Sequence, residues 1–275
     1  MNEKRIYSKN ADYQRLVVLK TNRYKRHRHG QFFVEGVRNI NSAIENGWEI
    51  ASLVYSFERR LSGWAQGVIS ATKTDINYPL TDALMADLSG KEDASELIAA
   101  VKIRDDSPGR IRLQEIPLLA LFDRPSNHGN LGTIIRSCDF LGVNGLILTG
   151  HSADLYDPEV IAASMGSFFK LPVVRIAEGK MLMEYISGLK DVYKGFQVVG
   201  TTAHQAISLF KADFKKPTMF LIGNETEGLS RAYKEMCDFM VTIPMAESSC
   251  ATSLNVGCAA TVLFAEAARQ READL

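Results

Sequence analysis

The chain has 275 residues, 46% hydrophobic and 23% charged, with 32 basic and 32 acidic side chains and no formal net charge, the profile of a soluble globular protein of one large or two modest domains. No apolar run approaches a membrane span and the opening MNEKRIYSKN has no secretory apolar core, so a cytoplasmic protein without a membrane partner is expected. Cys138, Cys237, Cys250 and Cys258 show neither CxxC pairing nor zinc spacing, which predicts reduced, mostly buried thiols and no metal site.

The neutral total hides an asymmetry. Residues 1–38 hold ten Lys/Arg against three acids, a net +7 that leaves −7 for the rest. The densest piece, KTNRYKRHRHG (20–30), interleaves Tyr24, His27 and His29 with Lys20, Arg23, Lys25, Arg26 and Arg28. Cations neutralise phosphates and rings stack on bases, so Arg23, Lys25, Arg26, Arg28 and the following Arg38 are candidate nucleic-acid contacts. A solvated basic arm without a dedicated partner is the alternative. Next, GQFFVEGVRNINSAIENG (30–47) predicts a short strand, then a helix from near Gly36 to Gly47. IASLVYS (50–56) and ELIAAVKI (96–103) read as further strands, and RDDSPGR (104–110) is polar and linker-like.

From about residue 110 the pattern is regular. Strand-length apolar runs recur at 117–122, 145–149, 171–176, 196–201, 217–222 and 239–243, with helix-period segments at 130–141, 157–168 and 179–188. Short continuous apolar strands alternating with helices predict a mainly parallel sheet covered on both faces. SLNVGCAATVLFAEAARQREA (253–273) reads as a long closing helix. Two α/β domains, 1–106 and 116–275 with a linker at 107–115, are the economical division.

In open α/β sheets ligands bind beyond the carboxyl ends of the strands. Three loops at such positions are rich in Gly, Asn, Glu and Ser. In RPSNHGNLGTIIRSCDFLG (124–142), Asn127 and Asn130 offer amides, while Arg136 puts a cation into an otherwise apolar helical pattern. The spacing fits neither G-x-G-x-x-G nor a P-loop. In LIGNETEGLS (221–230), Glu225 and Glu227 precede a helix near 230–236, whose dipole alone favours acids. In IPMAESSCATSLNVG (243–257), Ser253 is a candidate helix N-cap, with Leu254 and Val256 turned to the core. Singly, each loop has a structural explanation, and Arg136 could be a surface cation. Jointly, Asn130, Arg136, Glu225, Ser253 and Asn255 are five polar side chains that one sheet edge can gather.

These segments, in this order, resemble the three motifs of the SpoU/TrmH family of RNA ribose methyltransferases, within the SPOUT class. N-x-x-N-x-G-x-x-x-R followed by F-x-G is matched by Asn127, Asn130, Gly132, Arg136, Phe140 and Gly142. I-G-N-E-x-x-G-L is matched by Ile222 to Leu229, and I-P-M…S-L-N-V by Ile243 to Met245 and Ser253 to Val256. DPEVIAASMGSFFKLPV (157–173) is similar to the family's linking region. The spacer AESSCAT is longer than in many relatives, and Gly257 stands where a serine is usual.

The resemblance implies a C-terminal SPOUT-type α/β methyltransferase domain at 116–275, with a mainly parallel sheet and a deep trefoil knot. Before it, at 1–106, it implies a small α/β RNA substrate-binding domain like a ribosomal-protein fold. The implied reaction moves the methyl of S-adenosylmethionine to a ribose 2′-hydroxyl of structured RNA, rRNA rather than tRNA, in a homodimer. By position the cofactor pocket would use Thr201, Gly223, Ile243, Met245 and Leu254. The catalytic set would be Arg136 with Asn130, Glu225, Ser253 and Asn255. A guanidinium, which surrenders its proton reluctantly, suits a charge stabiliser or phosphate clamp better than a base. The alternatives are a tRNA methyltransferase, a non-catalytic RNA-binding or ribosome-assembly factor that keeps the knot, and a nicotinamide-dependent oxidoreductase. The absent G-x-G-x-x-G speaks against the last, and retention of all five polar positions against the non-catalytic factor.

Overall fold

Apolar runs bounded by polar turns lie extended in the computed structural model, which describes residues 2–91 and 93–272. The chain opens with α1 (Ala11–Thr21), α2 (Arg23–His29), β1 (Gln31–Glu35), α3 (Val37–Glu45) and β2 (Ile50–Ser56). It continues through α4 (Gly63–Ala71), β3 (Tyr78–Leu80), α5 (Asp82–Ser89) and β4 (Leu97–Lys102). Then come β5 (Leu118–Asp123), α6 (His128–Phe140), β6 (Gly145–Thr149), α7 (Pro158–Ser164), α8 (Ser167–Lys170) and β7 (Val173–Arg175). The last part holds α9 (Gly179–Val192), β8 (Gln197–Thr201), β9 (Ile207–Ser208), β10 (Thr218–Ile222), α10 (Arg231–Glu235), β11 (Phe239–Thr242) and α11 (Val256–Glu272). No helix among the described residues is long and apolar enough to cross a membrane.

Two compact units emerge: residues 1–104 with 156–170, and residues 105–155 with 171–275. In the first unit the sheet order is β1-β4-β2-β3, with β4 antiparallel to both neighbours and β3 parallel to β2. The basic segment is folded into two capped helices. Asn10 accepts from the Tyr13 N–H and Asn22 from the Lys25 N–H, both at 3.0 Å, each satisfying an otherwise orphaned helix donor. Charge hides the helical pattern there, yet α1 turns Tyr13, Leu16 and Leu19 into a core with Phe33, Val54 and Met85.

The helix expected over 157–168 is instead broken at Met165 and Gly166, whose φ values of 52° and 97° lie in the left-handed region. The break sends Phe168 and Phe169 inward. Phe32 lies 4.9 Å from Tyr156 between ring centroids and Trp48 lies 5.5 Å from Phe168. The Trp48 indole N–H donates to the Phe169 carbonyl at 2.7 Å, satisfying the polar edge of a buried ring.

The second unit carries a seven-stranded sheet in the order β7-β6-β5-β10-β8-β11-β9, every pairing parallel. Burial on both faces explains the continuous apolar runs. Leu119, Leu121, Val198, Met219 and Leu221 pack with Leu182, Ile186 and Leu189 of α9. Gly200 sits in β8 because a Cβ there would stand 2.2 Å from the Met240 sulfur. The chain runs outward from β5 through β6 to β7, then returns to build β8, β10 and β11 on the other side of β5. That reversal is a topological switch point, and because all strands are parallel their following loops open on one edge. The thiols depart from expectation: Cys138 is buried and Cys237 half-buried, but Cys250 and Cys258 are exposed.

Candidate active site

The carboxyl ends of β5, β10 and β11 deliver the three motif loops to that edge, and a chain of hydrogen bonds ties them together. Asn255, not Ser253, caps α11: its Oδ1 accepts from the Gly257 N–H at 2.9 Å and the Cys258 N–H at 3.3 Å. With its oxygen so used, the Asn255 amide nitrogen donates to Asn130 Oδ1 at 3.0 Å. That in turn orients the Asn130 amide nitrogen towards Glu225 Oε1, at 3.4 Å. Glu225 also accepts from the Ser126 N–H and hydroxyl, at 3.1 and 2.8 Å, and from the Asn127 N–H at 3.2 Å. Burial pushes the Glu225 pKa up, but hydrogen bonds from its own backbone, Ser126 and Asn127 outweigh this and hold it below the ordinary 4.5. An ionised carboxylate ringed by donors is an anchor, not a proton carrier.

A second clamp, which the sequence reading missed, works from the end of β5. Asp123, 1% exposed, accepts from the Ser230 N–H at 3.0 Å and from the Arg124 guanidinium at 3.0 and 3.1 Å. Arg124 holds Glu227 with the same guanidinium, and its carbonyl accepts from the Asn224 side chain at 2.7 Å. Its φ of 51° is uncommon for a residue with a Cβ. The one sequence clue was an Asp-Arg pair closing a buried strand. Gly223 is required because the loop folds back on itself, with Asn224 and Gly228 paired both ways. A Cβ at Gly223 would lie 2.3 Å from the Gly228 carbonyl carbon.

These clamps frame a cavity of about 530 Å³. Thr201, Gly223, Ile243, Met245 and Leu254 all line it, as does Ser253. Leu254 is 49% exposed instead of packed in the core, and Met245 is 52% exposed. Gly257, where a serine is usual, begins α11 under tight contact: a Cβ would meet Thr133 Cγ2 of α6 at 3.1 Å. Ile222, Leu263 and Val241 supply apolar wall, while Thr201, Asn224 and Thr242, at the ends of β8, β10 and β11, supply polar edges. This mixture of apolar wall and convergent polar groups, at this volume, fits an adenosine-sized ligand such as S-adenosylmethionine.

Arg136 lies on α6 outside the cavity lining, exposed to solvent. Asn130, Glu225 and Asn255 are thus brought into one network, Ser253 onto the cavity wall, and Arg136 onto neither. In the basic segment, Arg28 and Arg38 are exposed, whereas Arg23 and Lys25 are half-buried. Arg26 is a correction. It is 2% exposed, donating to the Leu19 and Lys20 carbonyls at 3.1 and 2.9 Å and to Asp157 at 3.0 Å. Its charge is spent inside the fold and cannot reach a phosphate. Among the described residues no cluster of three metal-ligating side chains occurs.

Strand order, loops and cavity together define a methylase of the class the motifs resemble. Residues 117–265 match the SpoU rRNA Methylase family and residues 10–99 the SpoU L30e-like domain, and the chain belongs to the SpoU rRNA methylase family. It is 44% identical over 269 residues to the 23S rRNA (uridine(2479)-2'-O)-methyltransferase of Streptomyces viridochromogenes, covering 98% of this chain and 93% of that protein. The crystal structure of the SpoU methyltransferase AviRb from that organism, in complex with AdoMet, is similar with a TM-score of 0.89. The two share 42% identity over 96% of this chain and 98% of that one. An AdoMet-bound rRNA methyltransferase from Sinorhizobium meliloti gives a TM-score of 0.83 at 27% identity, covering 97% of this chain and 98% of the other.

Proposed function

We propose that the protein methylates a ribose 2′-hydroxyl of rRNA, taking the methyl from S-adenosylmethionine held in the cavity of the second unit. The observation that carries this reading is the Asn255–Asn130–Glu225 network, which joins three motif loops beside an adenosine-sized cavity that Glu225 helps to line. Bound there, S-adenosylmethionine supplies an electrophilic methyl on a sulfonium. The protein's part is positional and electrostatic. A ribose hydroxyl is a weak nucleophile, so it must be held in line and its developing negative charge met by a fixed donor. Arg136 takes that role or clamps the adjoining phosphate, since it is exposed and keeps its charge. Ser253 offers a hydroxyl from the cavity wall. Glu225, Asn130 and Asn255 hold the loops on which this geometry depends.

The finer features follow the same reading. Phe140, 87% exposed on α6, and Leu254, ahead of α11, present apolar surface suited to a second copy of the chain, giving a cytoplasmic homodimer. A knotted path through the second unit and an RNA-holding role for the first belong to it as well. Tritium transfer from labelled S-adenosylmethionine into 23S rRNA, followed by mapping of 2′-O-methyl sites, tests the proposal. Label on one ribose is expected. No incorporation into any rRNA, with cofactor bound, would overturn it.

A further inference from the structure

The first unit carries a side-chain cluster that neither the cavity nor the basic helices use. Residues 2–7 run extended beside β3: the Lys4 N–H donates to the Asn77 carbonyl and the Ile6 N–H to the Pro79 carbonyl, both at 2.9 Å. Ile6 is fully buried, so strand alternation turns Arg5 and Tyr7 outward. Phe57, just past β2, is fixed by its N–H donating to the Leu80 carbonyl at 3.0 Å. The Tyr7 and Phe57 rings meet at 5.3 Å between centroids and 61° between planes, and the Arg5 guanidinium lies 5.4 Å over Phe57. Tyr7 stays 65% exposed on this support.

Charge distinguishes the patch. Lys4, Lys9 and Arg59 are neutralised by Asp12, Asp87 and Asp82 at 2.6, 2.9 and 2.7 Å. Arg5 and Arg60 are exposed and have no carboxylate partner among the described residues. The nearby acids are engaged, Glu3 by the Tyr55 hydroxyl at 2.6 Å and Glu58 by the Asp82 N–H at 2.8 Å. A rigid aromatic surface beside the unpaired Arg5 guanidinium, with Arg60 exposed three residues further along the chain from Phe57, is the chemistry that grips an unpaired base and its phosphates. An apolar protein partner would leave those two cations without a match.

We propose that Tyr7, supported by Phe57 and Arg5, is a stacking platform for a single-stranded nucleotide of the RNA substrate, with Arg5 and Arg60 meeting its phosphates. This rests on the RNA-methylation reading and adds a contact to it. Because the backbone on both sides is already hydrogen-bonded, little ordering is needed on binding.

Fluorescence anisotropy of the full-length protein with a labelled oligouridylate, and with an RNA duplex of equal length, tests the proposal. Tyr7→Ala should weaken oligouridylate binding about five- to a hundredfold, while duplex affinity and melting temperature stay at wild-type values. Tyr7→Trp should restore binding. The Tyr7→Ala salt slope should match wild type, whereas Arg5→Ala with Arg60→Ala should lower it by roughly one unit. Wild-type oligouridylate affinity in Tyr7→Ala, or failure of Tyr7→Trp to restore binding, overturns the platform even if the wild type methylates rRNA. If the wild type transfers no methyl to rRNA but Tyr7→Ala still loses oligouridylate, the reading above falls and the platform stands.

Discussion

The two sides of the candidate site are built on opposite terms. On one, Glu225, Asn130 and Asn255 have their hydrogen-bonding capacity committed to one another and to backbone donors. On the other, Arg136, Ser253, Met245 and Leu254 are exposed. A motif alignment treats all of them alike, whereas their unused bonding capacity separates residues that hold loops from residues left to meet a substrate. The basic segment of the first unit divides in the same way: Arg26 is enclosed by three acceptors while Arg28 faces solvent.

The largest expected effect tests the open side. Arg136→Ala should lower methyl transfer by about 10²–10³-fold, with S-adenosylmethionine affinity by calorimetry nearly unchanged; equal loss of both would erase the distinction. Next, Arg26→Ala should cost about 3 kcal/mol in denaturant unfolding, because Asp157 loses its buried partner, and should leave the salt slope of RNA binding alone. Glu225→Gln should cost about 2 kcal/mol and loosen cofactor binding. Its pH signature is specific. A carboxylate held below 4.5 stabilises the fold above that value, and this is lost as the pH falls through the lower folded pKa. Acid titration of stability should therefore be flatter in Glu225→Gln than in the wild type.

Smaller effects sharpen the division. Asn255→Ala should cost about 1 kcal/mol through the lost cap. Asn255→Asp keeps the cap but removes the donor to Asn130, so it should spare stability and impair transfer. Neutralising Arg23, Lys25 and Arg28 together should reduce the salt slope of RNA binding by roughly two units; an unchanged slope would assign them to solvated surface.

Much of the fold was legible because strands buried on both faces leave continuous apolar runs, as at 118–123 and 218–222. Helices α1 and α2 were not, since α1 sets its three buried side chains, Tyr13, Leu16 and Leu19, among polar and β-branched neighbours, and α2 buries only Arg26. The break at Met165 is a tertiary effect, imposed where the chain turns Phe168 and Phe169 into an aromatic core. At the site, the motif positions were visible, but their roles were not. Ser253 reads as the cap, but the fold gives that position to Asn255 and so points its amide at Asn130. The Asp123–Arg124 clamp was hidden because a charged pair after a strand reads as a turn.

The place of β10 between β5 and β8 sets an order of assembly. Thr218 pairs with Leu118, so the open flank of β5 waits for about a hundred residues of further chain before its neighbour exists. A nascent polypeptide halted before that point presents a bare, apolar strand flank, the kind of surface that recruits other chains. Synthesis must therefore reach its final third before the reactive cleft has walls, and a truncated product is a hazard instead of a slower enzyme.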